Sequence, residues 1–172
     1  MIIQKSFNYY FKNNDNESNF FVNNTNLYAF NGLINSDFKF SYLYGPNKSG
    51  KSFLGKIWLK NNNAIELKNN FEFVINKDIN ILIDDLLLFD EEIIFHIINS
   101  CNFNNSKILI ISNSSINDIN FHFKDLSSRL KTFTNFQINQ PNDEMLLTIL
   151  TKLLLDKQFI INTNDIFEYI IR

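Results

Sequence analysis

Residues 45–52 have the residue types and the spacing that bind a phosphate chain. They read Gly-Pro-Asn-Lys-Ser-Gly-Lys-Ser, which matches the Walker A pattern of a glycine, four residues and then Gly-Lys-Ser. In such a loop, backbone N–H groups point at phosphate oxygens, and the first turn of the following helix adds partial positive charge. Lys51 would neutralise the β- and γ-phosphates, and Ser52 would bind Mg²⁺. We predict that the whole run contacts ADP or ATP: Gly45, Pro46, Asn47, Lys48, Ser49, Gly50, Lys51 and Ser52.

Lys48 departs from the most common form of this loop, because many such loops have a further glycine at its position. If the backbone there requires positive φ, a side chain costs roughly 1 kcal/mol relative to glycine. The lysine therefore predicts weaker or altered nucleotide binding.

A pair of aspartates ends an apolar segment that reads Ile-Leu-Ile-Asp-Asp over residues 81–85. If this segment is a strand, it delivers Asp84 to the magnesium shell beside Ser52, and Asp85 would orient an attacking water. The alternative is an acidic turn at the end of a strand. One helix, one strand and a connection fit between Lys51 and Asp84, so both motifs are compatible with one sheet.

Polar residues further along the chain extend this pattern. Ser112 and Asn113 follow the next apolar segment, where they would either contact a γ-phosphate or form a turn. Arg129 would complete a neighbouring molecule's nucleotide site or form a surface salt bridge. His96 and His122 lack ligand-like spacing and are interpreted as structural.

Strands and helices must alternate to position these residues. The expected strands are residues 38–44, 64–67, 80–84, 107–112 and 133–138. The expected helices are residues 52–60, 91–101 with Asp90 as N-cap, 125–131, one that opens at 141–144, and one from 164 onward. Residues 1–24 show no sustained period and are expected to form an arm or loop. This order predicts an α/β fold with helices on both faces of a mostly parallel sheet.

Length, charge and cysteine content restrict the class of protein. A chain of 172 residues favours one domain, and a net charge of −2 disfavours direct DNA binding. Cys101 is the single cysteine, and no N-terminal stretch resembles a leader, which favours a reducing, cytoplasmic setting. Because the apolar runs are much shorter than the roughly 20 residues that span a bilayer, no membrane role is expected.

These motifs together resemble the DnaA branch of the AAA+ ATPases, and within it the short Hda-like proteins that lack a DNA-binding domain. Residues 42–52, 84–85, 109–113 and 125–130 are similar to the family's Walker A, Walker B, sensor 1 and box VII segments in order and spacing. Residues 91–99 resemble the alphaproteobacterial subgroup. The resemblance implies an AAA+ P-loop NTPase core at residues 20–140, after an arm at 1–19 and before an incomplete helical lid at 141–172.

The resemblance also implies roles for individual residues. Phe20 and Val22 would help to form the adenine pocket, Asn113 would be the sensor 1 residue, and Arg129 would face a DnaA partner. The stretch around Gln4, Phe7 and Tyr9 is similar to the peptide by which Hda proteins bind the replication sliding clamp. The family continues into a lid with a sensor 2 arginine, and the sequence ends at Arg172, so we expect a truncated lid.

The function implied by the resemblance is regulation of chromosomal replication initiation. With nucleotide bound, and with the clamp loaded on DNA, such a protein promotes ATP hydrolysis by DnaA. Two alternatives remain open: a self-contained P-loop ATPase or kinase, and a nucleotide-free interaction scaffold with a vestigial P-loop. Homo-oligomerisation is also left open.

Overall fold

Five parallel strands form the centre of the protein. The computed structural model describes residues 20–68 and 78–156. The strands are β1 (Phe40–Tyr44), β2 (Ile65–Glu66), β3 (Ile81–Asp84), β4 (Ile108–Ser112) and β5 (Thr134–Gln137). Their order in the sheet is β2-β3-β4-β1-β5, and every neighbouring pair is parallel. The predicted parallel sheet is therefore confirmed, and the carboxyl ends of the strands meet along one edge.

Helices occupy the connections between the strands. They are α1 (Leu27–Asn35), α2 (Lys51–Asn61), α3 (Glu91–Phe103), α4 (Lys124–Leu130) and α5 (Asp143–Asp156). Two short 3-10 turns, Leu86–Leu88 and Ile116–Asp118, follow β3 and β4. The boundaries of α2, α3 and α4 lie within two residues of the predicted ones. No helix within residues 20–68 and 78–156 is long and apolar enough to cross a membrane.

Both faces of the sheet are buried, because successive side chains along a strand point to opposite sides. In β4, Ile108 and Ile110 pack with α3 and α4, whereas Leu109 and Ile111 pack with α1 and α2. Strands covered on both sides are continuously apolar, which is why β4 reads Ile-Leu-Ile-Ile before its final serine. The sheet is thus the central layer between two sets of helices.

Helix α3 begins where the sequence predicts it. The Asp90 side chain accepts a hydrogen bond from the Glu92 N–H at 3.3 Å, so it caps the helix. The Glu91 carboxylate accepts from the N–H groups of His122 and Phe123 at 3.1 and 2.6 Å. The first turn of α3 is therefore tied to the residues that lead into α4.

Helix α1 was not predicted from the sequence. Ala29 and Leu33 are buried on its inner face, and Gly32 lies so close to Phe136 of β5 that a Cβ there would fall 2.0 Å from the ring. The helix needs this contact with an edge strand that is distant in sequence. No element was predicted for residues 25–37, which lie between the asparagine-rich arm and the first strand.

Some apolar side chains of α2 and α5 are only partly buried. On α2, Phe53 is half-buried and Leu54 occupies the core position. On α5, Leu147 is buried whereas Leu146 and Leu153 are 43% and 46% exposed. The predicted arm at residues 1–19 and the helix from residue 164 onward lie outside the described residues.

Candidate functional site

The phosphate-binding motif forms the loop between β1 and α2. Gly45 follows the strand, and a Cβ atom there would lie 2.2 Å from the carbonyl oxygen of Ile138. Gly50 has φ of 94° and immediately precedes the first helical residue, Lys51. Only glycine fits either position without displacement or strain. The two glycines therefore fix the path of the loop into the N-terminus of α2.

Lys51 is held against the loop that it follows. Its ammonium group donates to the carbonyl oxygens of Gly45 and Pro46 at 2.9 and 2.6 Å, and the residue is 7% exposed. Burial lowers the pKa of Lys51, and the nearby carboxylates of Asp84 and Asp85 oppose that shift. Since an ammonium group has three hydrogens, one remains for a ligand.

A cleft of about 580 Å³ opens beside this loop. Its walls are the loop, the start of α2 and the carboxyl ends of three strands. The lining residues are Asn47, Lys48, Ser49, Gly50, Lys51, Ser52, Phe53, Glu66, Asp84, Asp85, Leu88, Ile111, Ser112 and Asn113. The cleft brings together both predicted magnesium ligands, Ser52 and Asp84, with Asp85 and Asn113.

The carboxylates come together because their strands are parallel neighbours. Asp84 ends β3 and is in register with Ile111 of β4, so it lies beside the residues that lead to Asn113. Asp85 follows with φ of 68°. Glu66 ends β2 next to β3 and adds a carboxylate that was not predicted as part of the site. Its place at the end of a strand was the signal that would have identified it.

The chemistry of the lining fits a phosphate chain with Mg²⁺. The Ser49 hydroxyl oxygen is buried and has no hydrogen-bond partner in the described part of the chain, as expected of a group that awaits a polar ligand. Mg²⁺ prefers oxygen ligands and keeps several waters and phosphate oxygens in its shell. The Ser52 hydroxyl and the Asp84 carboxylate suit that role. Within residues 20–68 and 78–156, no group of three or more Asp, Glu, His or Cys residues forms a complete metal site.

Ser112 and Asn113 have different environments. Ser112 is buried, and its hydroxyl oxygen accepts from the Ser114 N–H at 3.3 Å, which makes it part of a turn. The Tyr42 hydroxyl donates to the Ser114 carbonyl at 2.9 Å, and burial raises the pKa of Tyr42 to about 12. Asn113 is exposed and lines the cleft. Ser112 therefore takes part in a turn, and Asn113 has the more exposed position of the two on the cleft wall.

Phe20 lies next to the loop but outside the cleft lining. Its ring stacks between Phe30 and Phe53 at centroid distances of 5.6 and 5.8 Å, and a Cβ at Gly50 would lie 3.4 Å from it. Val22 is half-buried and is also absent from the lining. The adenine pocket at these two residues stays a prediction.

Arg129 and the histidines lie away from the cleft. Arg129 is half-buried in the last turn of α4, and no carboxylate of the described ranges lies within salt-bridge distance of it. The salt-bridge alternative is therefore unsupported in that part of the chain. His96 and His122 are both exposed, not enclosed among apolar residues.

Comparisons with known proteins bear on the fold. No protein-family model matches the sequence, and no curated protein matches it significantly. Domain III of the Thermotoga maritima replication initiation protein DnaA superposes with a TM-score of 0.72 at 18% identity, over 84% of this chain and 75% of that one. AMPPCP-bound DnaA from Aquifex aeolicus gives 0.69 at 17% identity, over 84% and 56%.

A third structure, that of a DNA replication initiation factor, gives a TM-score of 0.76 at 18% identity, over 89% of this chain and 57% of that one. The chain thus spans little more than half the length of this factor and of the Aquifex protein. The fold is that of the DnaA AAA+ P-loop domain, a five-stranded parallel sheet flanked by helices. The predicted fold class is confirmed.

Proposed function

We propose that the cleft binds ADP or ATP together with Mg²⁺. The observation that carries this proposal is the Lys51 ammonium group, which two loop carbonyls hold at the N-terminus of α2, with Asp84 and Asp85 acting on it electrostatically. A buried cation with one remaining donor, beside backbone N–H groups and a helix N-terminus, suits the charge of a phosphate chain. The likeness to AMPPCP-bound DnaA supports the same ligand class.

Each residue of the cleft has a separate task in this proposal. The loop amides and Lys51 bind the phosphate oxygens. Ser52 and Asp84 would hold Mg²⁺, which would supply positive charge to the phosphates. Asn113 contacts the terminal phosphate from the end of β4. Asp85 accepts a hydrogen bond from the attacking water, so it orients that water for hydrolysis.

Isothermal titration calorimetry tests the binding step. Titrating the full chain with ATP and with ADP, each in Mg²⁺ and in EDTA, should give one site per chain and tighter ATP binding in Mg²⁺. Absence of binding heat at every nucleotide and metal condition, with a folded protein by circular dichroism, would exclude nucleotide binding. That result would favour the scaffold with a vestigial P-loop.

We further propose that the protein is a cytoplasmic, Hda-like regulator of replication initiation. In this role it stimulates ATP hydrolysis by DnaA when it is bound to the loaded sliding clamp, without contacting DNA itself. Three features support the proposal: the DnaA-like fold, the net charge of −2, and a half-buried Arg129 without a carboxylate partner in the described ranges. Arg129 would complete the DnaA nucleotide site, and Gln4, Phe7 and Tyr9 would contact the clamp.

A reconstituted DnaA assay separates the two contacts. Arg129→Ala should reduce stimulation of DnaA hydrolysis but leave clamp binding intact, whereas Lys131→Ala, which changes an exposed neighbour, should change neither. Gln4→Ala with Phe7→Ala should weaken clamp binding and leave nucleotide binding intact. Pull-downs in which the wild-type protein captures neither DnaA nor the clamp would rule out this role.

The meeting of Lys51, Asp84 and Asp85 in one cleft also favours a second candidate, a self-contained ATPase. Phosphate release by the purified chain alone, abolished by Asp85→Asn, would select that candidate over the adaptor.

A further inference from the structure

Four non-glycine residues in the described ranges have positive φ: Lys48 at 61°, Asn63 at 48°, Asp85 at 68° and Asn105 at 58°. Asn63 and Asn105 follow the ends of α2 and α3, where asparagine commonly adopts the left-handed conformation. Lys48 and Asp85 do not follow a helix, and both line the cleft. Aspartate, like asparagine, tolerates this conformation, whereas lysine seldom adopts it. Strained backbone of this kind concentrates where ligands bind.

No contact within the described ranges requires a lysine side chain at position 48. The residue is exposed, and no residue of the described ranges forms a hydrogen bond or ion pair with its ammonium group. Glycine would adopt the same backbone conformation without cost. Contacts within the described fold therefore do not account for a lysine at this strained position. A ligand bound in the cleft would account for it.

The charges that line the cleft supply the reason. The carboxylates of Glu66, Asp84 and Asp85 line the cleft together with Lys48 and Lys51. Glu66 also pairs with Lys68 at 3.8 Å, which leaves Asp84 and Asp85 as the carboxylates nearest the phosphate-binding lysines in this argument. Two of the three Lys51 hydrogens are already bonded to loop carbonyls. Without Lys48, one Lys51 hydrogen would be the only side-chain ammonium donor that the cleft lining offers a phosphate chain, with the Asp84 and Asp85 carboxylates in the same lining. An ammonium group at position 48 adds a second charge-assisted donor for the anionic chain.

We propose that Lys48 is a second phosphate-binding lysine, which contacts the di- or triphosphate chain directly and raises affinity at the expense of the stability of the ligand-free loop. The proposal rests on nucleotide binding in this cleft. The sequence led us to expect that Lys48 weakens or alters nucleotide binding. We now expect that it strengthens binding.

Three substitutions at Lys48 separate its charge from its strain. Lys48→Gly removes both, Lys48→Gln removes only the charge, and Lys48→Arg retains both. In the absence of ligand, the glycine variant should unfold at a higher temperature than wild type, and the other two should unfold close to it. By calorimetry with Mg²⁺-ATP, the glycine and glutamine variants should bind about fivefold to tenfold more weakly. The arginine variant should stay within about twofold of wild type.

Asn63→Gly is the matched control, since it relieves a positive φ outside the cleft and should leave ATP affinity unchanged. Wild-type-like affinity in either the glycine or the glutamine variant would overturn the role of Lys48 while nucleotide binding itself stands. Weaker ATP binding in the Asn63 control would also overturn it, because strain relief alone would then alter affinity. A wild-type protein that binds no nucleotide would refute both proposals.

Discussion

Replacing Lys51 by methionine removes the ammonium group and keeps most of the side-chain volume. In the folded protein, two of the three ammonium hydrogens bond to Gly45 and Pro46, so one direct bond to a phosphate is lost. A hydrogen bond to a charged group contributes about 1.5–3 kcal/mol. At 1.4 kcal/mol per factor of ten, the Mg²⁺-ADP affinity should fall roughly tenfold to a hundredfold.

The folding stability of the methionine variant should change much less. Two bonds to loop carbonyls are lost, but the cost of burying a charge at a site 7% exposed is also removed. We expect the free energy of unfolding in urea to stay within about 1 kcal/mol of wild type, because these terms have opposite signs. A large loss of affinity with little loss of stability identifies a residue that binds ligand.

Calorimetry with Mg²⁺-ADP and equilibrium unfolding in urea measure the two quantities. Lys56→Met is the control, since Lys56 lies exposed on the same helix and outside the cleft lining. Its ADP affinity should equal that of wild type. If Lys51→Met binds ADP within about twofold of wild type, the reasoning that places one phosphate bond on Lys51 is refuted.

Three further predictions follow from the same site. Asp84→Asn should abolish most of the gain in ATP affinity that Mg²⁺ provides, measured by calorimetry with and without the metal; an unchanged gain would remove Asp84 from the metal shell. Gly45→Ala should destabilise the fold by about 1–3 kcal/mol in urea, because its Cβ would lie 2.2 Å from the Ile138 carbonyl oxygen. Gly50→Ala, whose Cβ makes an ordinary 3.4 Å contact, should cost only about 1 kcal/mol for its φ of 94°, and equal costs would contradict the clash. Burial lowers the pKa of Lys51 in the folded protein, so the free energy of unfolding should rise as the pH increases towards 10.5, the ordinary pKa of lysine. Nucleotide affinity should begin to fall at a pH below 10.5, because the ammonium group loses its charge there. If wild type and Lys51→Met show the same pH dependence of unfolding and of affinity, Lys51 does not titrate in this range.

The sheet was predictable because its strands carry a signal that does not depend on distant contacts. β3 and β4 are short apolar runs bounded by polar residues, which is typical of strands buried on both faces. The Asp90 cap likewise marks the start of α3 within a few residues of sequence. Local patterns therefore gave the order of these elements correctly.

What the sequence did not predict depends on tertiary contacts. Helix α1 is held by packing against Phe136, more than a hundred residues later in the chain. Glu66 lines the cleft because β2 is the neighbour of β3. No single segment of the sequence specifies that strand order. Phe20 lies in a ring stack with Phe30 and Phe53, which a likeness of local sequence does not specify.

The cleft itself falls between these cases. The motif at residues 45–52 specifies the loop, and parallel strands place Asp84, Asp85 and Asn113 along the same edge. Lys48 has a φ of 61°, which is the backbone conformation under which a side chain was expected to cost energy there. Its energetic consequence for binding depends on the surrounding carboxylates, which become apparent only when the cleft is assembled.

An NMR titration of uniformly ¹⁵N-labelled protein with Mg²⁺-ADP tests the central claim most directly, because it reports both binding and its location. The account predicts that the largest amide shifts fall on residues 45–52, with further shifts at Asp84, Asp85 and Asn113. Shifts that are absent at saturating ADP, or that lie only away from these residues, would contradict nucleotide binding in this cleft.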